Sequence, residues 1–427
     1  MSSPMNDSHE PTAGEYSSPV SEVGVVPMDL TIRTKLSIMM FLQYFTWGAF
    51  FVTMGTYLGK LEFSGERIGL CFGTSALGAI IAPFFVGMIA DRFFATQRML
   101  AALHIVGAGL LYVASTLTDF STFYPVLLLY FICYMPTLAL TNSLSFSHMS
   151  SPEKQFPGIR VLGTIGWIVA GLLVSFMHYE DNNAALQLAA ISSAVLGLYC
   201  LALPHTPPSN PGGRASIRDV LGLDALKMMK QWSFAVFVIG SFLVCIPLQF
   251  YYLFTNPFLN DIDVEYAAGK MTIGQMSEIF FMLVMPVFFV RLGVKYMMLV
   301  GMLAWAVRYV LFAYGNADDL MWMLYIGIAL HGICYDFFFV TGYIYVDKKA
   351  SDAIRASAQG FITLVTLGLG GFIGTWLAGR TLDYYTVDEV TNWRDFWLAP
   401  AIAAAVVMVL FAVSFFDRVD DRKSAVA

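Results

Sequence analysis

The sequence predicts an all-α integral membrane protein, with twelve transmembrane helices in two six-helix pseudo-repeats. Three observations carry that expectation. Of the 427 residues, 58% are hydrophobic and only 13% are charged, with a mean hydropathy of +0.67; a soluble fold of this size would leave far too much apolar surface in water. Twelve apolar windows are each long enough to cross a hydrocarbon core of about 30 Å at about 1.5 Å per residue. A polar stretch rich in Pro and Gly divides them six and six.

In chain order, residues 1–32 are polar, rich in Ser and Pro, and carry no Lys or Arg before Arg33. They lack the basic-then-apolar layout of a cleaved signal and read as a disordered cytoplasmic tail. The first six windows fall at 35–58, 66–90, 99–117, 122–146, 157–177 and 185–203, inside an N-terminal bundle over 33–204. Residues 205–231 are a cytoplasmic linker, first Pro/Gly-rich and then patterned as a short amphipathic helix with Leu221, Leu223, Leu226 and Met229 on or near one side. The other six windows, 232–256, 271–291, 296–314, 320–346, 358–379 and 396–416, make a C-terminal bundle over 232–417, and 418–427 form a second cytoplasmic tail.

Counting Lys and Arg sets the orientation. With the N-terminus inside, the inner segments hold seventeen and the outer segments five, while Arg160 and Arg308 lie within spans. Both termini are therefore expected in the cytoplasm of a multi-pass inner-membrane protein. The halves also echo each other, since "GIRVLGTIG" (158–166) opens the fifth span as "AIRASAQGF" (353–361) opens the eleventh. Two parallel repeats with a midplane site between them are an alternating-access layout.

Several function classes are excluded. A net charge of -6 argues against nucleic acid as a partner. Cys71, Cys133, Cys200, Cys245 and Cys334 lie singly in apolar runs and read as buried thiols, with no metal or cofactor site expected. No G-x-x-x-x-G-K-[ST] occurs, so the protein is expected to be neither an enzyme nor an ATP-driven pump. The lipid bilayer is the surrounding partner, and a monomer the expected unit.

The chemistry lies in polar residues at depth. Glu278 in the eighth span and Asp336 in the tenth stand about 10 and 15 Å from the span ends at about 1.5 Å per residue. A carboxyl in hydrocarbon costs at least about 2.5 kcal/mol. Such acids either glue helices together or face an interior cavity, where they can carry a coupling proton. Gln275 shares the Glu278 face. Gln249 follows Pro247, which loosens the seventh span. Each glutamine is suited to an interhelical hydrogen bond or a ligand contact. Arg160 lies about 12 Å into a fifth span that starts near Pro152, with Thr164 and Trp167 on its face; it is a snorkelling anchor or a site residue. His331 and Tyr335 share a face, so the histidine is a satisfied interior group, a proton relay or a ligand contact. Arg308 and His104 read as structural.

The segment "GMIADRFFATQR" (87–98) resembles the G-x-x-x-D-R-x-G-R-R signature of the major facilitator superfamily, in which acid and arginines latch the cytoplasmic side. Gly87, Asp91 and Arg92 match, and Arg98 stands alone where a pair is expected. The corresponding "VRLGVK" (290–295) keeps base and glycine without the acid. With "FLQYFTWGAFF", "YMPTLALTNS", "FPGIRVLGTIGW", "GQMSEIFF" and "YDFFFVTG", the chain resembles the nucleoside:proton symporter family of that superfamily through nearly all of 33–417. The resemblance implies a nucleoside moved inward with a proton. It implies ligand groups at Arg160, Thr164, Trp167, Gln249, Gln275, Glu278, Tyr335 and Asp336, with Tyr252 standing where some members carry an asparagine for the base. A symporter for a sugar or other small polar metabolite is the runner-up, and a membrane receptor or channel the rival class.

Overall fold

The computed structural model describes residues 28–85, 94–208, 223–351 and 354–417. They form α1 (Leu30–Gly48), α2 (Met54–Lys60), α3 (Gly65–Phe85), α4 (Thr96–Ala114), α5 (Phe120–Phe146), α6 (Pro152–Phe176) and α7 (Ala184–Cys200). After a short 3-10 helix (Leu223–Lys230) come α8 (Trp232–Asp261), α9 (Ala267–Tyr314), α10 (Met321–Lys349), α11 (Ser357–Tyr385) and α12 (Trp393–Ser414). A two-residue hairpin, β1 (Thr386–Val387) with β2 (Val390–Thr391), precedes α12. Eight of the described helices are long and apolar enough to cross a membrane.

The twelve crossing segments follow when the helix breaks are taken into account. α9 runs 48 residues, about twice a bilayer, and holds Gly293 at φ 64°, ψ 177°, a conformation essentially reserved for glycine. It is thus two antiparallel-capable spans hinged at the glycine of "VRLGVK". The first span is interrupted instead of continuous, α1 ending at Gly48 and α2 starting at Met54. Pro247, expected to loosen the seventh span, lies inside α8, which continues for 30 residues through Pro247 and Pro257. Irregularity falls elsewhere: α10 has a turn at Leu330 and a π segment at Asp336–Val340, and α11 a π segment at Leu364–Gly370.

Packing repeats between the halves. Spans one and five (α1 with α6), two and four (α3 with α5), and three and six (α4 with α7) pair in the first half. The second half repeats this as seven with eleven (α8 with α11), eight with ten (α9 with α10) and nine with twelve (α9 with α12). Across the halves, α3 meets α11, α6 meets α9, and α2 meets α8. The linker helix is tighter than expected, so residues three apart align. Ala225 and Met228 are its buried pair, while Leu226 is 48% exposed and Leu221 lies outside the described residues.

The end away from the chain termini is closed by two carboxylates placed alike in the two halves. Glu180, after α6, accepts from Asn256 Nδ2 (2.8 Å), Asn260 Nδ2 (3.1 Å) and the Ala268 amide in the first turn of α9 (3.0 Å). Asp383, late in α11, accepts from the amides of Gly65 (2.5 Å) and Glu66 (2.8 Å) at the start of α3. Each half therefore caps a helix of the other, satisfying amides that have no partner within their own helix.

Candidate substrate and proton site

The first half contributes one face of α6. Arg160, Thr164 and Trp167 are partly accessible, whereas Val161, Ile165 and Val169 point outward and are exposed. The helix begins at Pro152 with the amides of Ser150 and Ser151 bonded to Gln155 Oε1, so Arg160 sits about 12 Å from its start. Its guanidinium lies 4.1 Å from the centroid of the Tyr44 ring of α1. Trp167 packs edge-on against Trp47, with centroids 5.5 Å apart.

The second half contributes α8, α9 and α10. Because α9 starts at Ala267, Glu278 is about 16 Å along it, close to the middle of the bilayer. Gln275 and Glu278 are partly accessible on one face, and Met276, Phe280 and Leu283 are exposed on another. Glu278 Oε2 is 3.9 Å from His331 Nε2. His331 lies parallel to the Tyr251 ring (5.1 Å, 19°), edge-on to Tyr252 (6.0 Å) and 6.1 Å from Tyr335. Gln249 packs on α11 beside Gly371 and Gly374, somewhat apart from the Glu278 cluster.

The two faces meet. Tyr335 is an electrostatic neighbour of Glu278, Tyr252 and Arg160, and Glu278 is one of Arg160 across the halves and of Asp336 within its own. The two acids thus share one interior region instead of pointing at separate outer surfaces. Their settings differ: the Glu278 side chain keeps 21% of its surface accessible, while His331 (3%) and Asp336 (0%) lie behind the accessible lining. Neither Asp336 oxygen finds a hydrogen-bond partner among the described residues. Thr164, Gln249 and Gln275 likewise have no bonded side-chain partner there, which leaves their polar groups free for a ligand.

Other candidates fall outside this region. Arg98 is exposed at the start of α4, and Gly87, Asp91 and Arg92 lie outside the described residues. Arg355 pairs with Asp347 at the surface (3.3 Å), as an anchor would. His104 donates from Nε2 to Gln43 Oε1 (2.9 Å) within the first half, a structural role. Sequence reasoning passed over Tyr44 and the placement of Arg308, and met Tyr251 only as one of a dense run of aromatics beside the acids. Arg308 is fully buried with its guanidinium 4.1 Å from the Tyr251 centroid. The one signal available for it was an arginine inside a span.

The chain is similar to known proteins over nearly its whole length. A family model described as nucleoside H+ symporter matches residues 28–420. YegT of Escherichia coli (strain K12) is 44% identical over 414 residues, covering 92% of this chain and 97% of that protein. Xanthosine permease of the same organism is 35% identical, covering 92% and 98%. The crystal structure of the nucleoside transporter NupG superposes with a TM-score of 0.85 at 33% identity, covering 91% of this chain and all of that one.

Proposed function

The chain belongs to the nucleoside:proton symporter family and moves nucleosides inward with protons, and from that premise we propose how its residues divide the work. It is a multi-pass membrane transporter of the major facilitator fold, and neither the sugar alternative nor the receptor or channel reading is favoured. The observation that carries the site is the packing of α6 from one half against α9 from the other, which brings Arg160 and Glu278, both partly accessible, within electrostatic range of each other.

In this reading a nucleoside lies between the halves. Ribose hydroxyls donate to Glu278, the accessible acid, and the Arg160 guanidinium donates to ligand oxygens. Gln249 and Gln275 read base edges, and Trp167, Tyr252 and Tyr335 supply flat walls for the ring. Glu278 and Asp336 carry the coupling proton, with His331 between the accessible lining and the interior. A buried carboxylate without a donor is costly, so Asp336 holds its proton in this conformation and Glu278 is the group that meets substrate.

The surrounding assignments follow the same logic. Residues 33–204 and 232–417 act as the two moving units, joined by the 205–231 linker, a division supported by their repeated pairing of spans. The seventeen-to-five split of basic residues supports both termini in the cytoplasm of the inner membrane. One chain supplies both walls of the site, so the monomer is the working unit.

Vesicle uptake of labelled uridine and adenosine tests the reading. Glu278→Gln and Asp336→Asn are expected to abolish accumulation driven by a pH gradient, and Asp336→Asn to retain nucleoside exchange without a gradient. Unchanged pH-driven accumulation in both variants would end the proposal.

A further inference from the structure

Tyr44 stands in the middle of the molecule with no role in the reading above, yet the Arg160 guanidinium lies over its ring, 4.1 Å from the centroid. We propose that Tyr44 is a positioning residue, a flat platform that presents Arg160 to the ligand; the inference rests on the reading of Arg160 as a substrate group. An arginine has five donors in one plane. When an aromatic ring covers one face of that plane, its edges stay free while its swing is restricted. Tyr44 is also an electrostatic neighbour of Glu278 as well as of Arg160, so the platform lies at the contact between the two halves.

The platform is itself held in place. The preceding residue, Gln43, is fully buried and bonded on three sides. Its Nε2 donates to Thr137 Oγ1 (2.7 Å), its Oε1 accepts from His104 Nε2 (2.9 Å), and its carbonyl accepts from Tyr134 OH (2.7 Å). Thr46, two residues beyond Tyr44, shares a hydroxyl bond with Ser192 of α7 (2.8 Å). α1 is thereby pinned to α4, α5 and α7 on both sides of Tyr44. Gly163 leaves room for the stack, because a Cβ there would come within 2.6 Å of the Tyr44 ring and 2.9 Å of the Arg160 guanidinium.

Uridine uptake by the full chain in proteoliposomes, with melting temperature as the folding control, tests this. Tyr44→Phe and Tyr44→Trp keep an aromatic face and should keep the wild-type KM. Tyr44→Leu should raise KM roughly 3- to 30-fold with a smaller effect on kcat, and should add nothing in an Arg160→Ala background. Gly163→Ala, which displaces the ring without removing it, should give the same KM rise if the leucine variant fails to fold. An unchanged KM in both Tyr44→Leu and Gly163→Ala, or a leucine effect that persists without Arg160, overturns the platform. A wild-type KM in Arg160→Ala would instead overturn the reading of Arg160 itself, and the platform with it.

Discussion

Arg308 shows what a single buried cation does here. Its Nε donates to Gly327 O (3.0 Å), its face covers Tyr251, and its two terminal nitrogens have no acceptor among the described residues. Since His331 stacks parallel to Tyr251 and lies 3.9 Å from Glu278, the arginine helps hold the ring against which that histidine packs. A lysine keeps the charge but offers neither the planar face nor the Nε donor. Arg308→Lys should therefore lower stability by about 1–2 kcal/mol, read as a drop in melting temperature, and slow uptake; an unchanged melting temperature would deny the stack its structural role. Residues like this mark where the sequence stops being informative. Glu278, Asp336 and Arg160 could be found because an ionisable group at bilayer depth needs a reason. Tyr44 could not, and Tyr251 stood out only as one of many aromatics near the acids, because aromatics make up 15% of the chain and nothing in the letters separates a platform from a lipid-facing ring. Nor could the letters reveal that Asp336 lies wholly behind the lining while Glu278 stays accessible.

Among the elements, hydropathy located the spans but not their breaks. A sliding apolar window cannot distinguish α8, continuous through Pro247, from α10, which turns at Leu330 and widens into a π segment at Asp336. Such a segment adds a residue to the turn and re-aims the side chains around it, and it is frequent at functional sites. The amide at Gly332 is held by Ser277 Oγ (3.0 Å) one residue before Glu278, so the irregular part of α10 is registered directly on the site. Gly293 is the break with a legible cause. At φ 64°, ψ 177°, any side chain is strained, and Gly293→Ala should cost about 1–3 kcal/mol, seen as a lower melting temperature. A variant as stable as wild type would mean that the α9 hinge relaxes to an ordinary helical conformation.

For the whole molecule, the two carboxylate caps bias the position of the halves. Glu180 and Asp383 occupy corresponding places, one after the fifth span and one at the end of the eleventh, and each bonds the first turn of the span eight or span two helix opposite. Thr56 Oγ1 to Asn256 Oδ1 (2.6 Å) and Trp376 Nε1 to Glu66 Oε1 (3.0 Å) add to the seal. All of these bonds cross between the halves at one end, so they must break when that end opens, and each bond to a charged group is worth about 1.5–3 kcal/mol. Glu180→Ala with Asp383→Ala should thus move the equilibrium toward opening at this end. A cysteine placed at Ile68, buried there in the closed form, should react at least about tenfold faster with a maleimide in purified protein. The segment holding Asp91 lies outside the described residues; by its sequence resemblance to a latch on the other end, Asp91→Asn is expected to destabilise the opposite state. Added to the double variant, it should return the labelling rate toward wild type. If labelling is unchanged by the Ala pair, the caps do not control the closed end; if it rises but Asp91→Asn fails to reverse it, the two ends are not balanced on a single equilibrium.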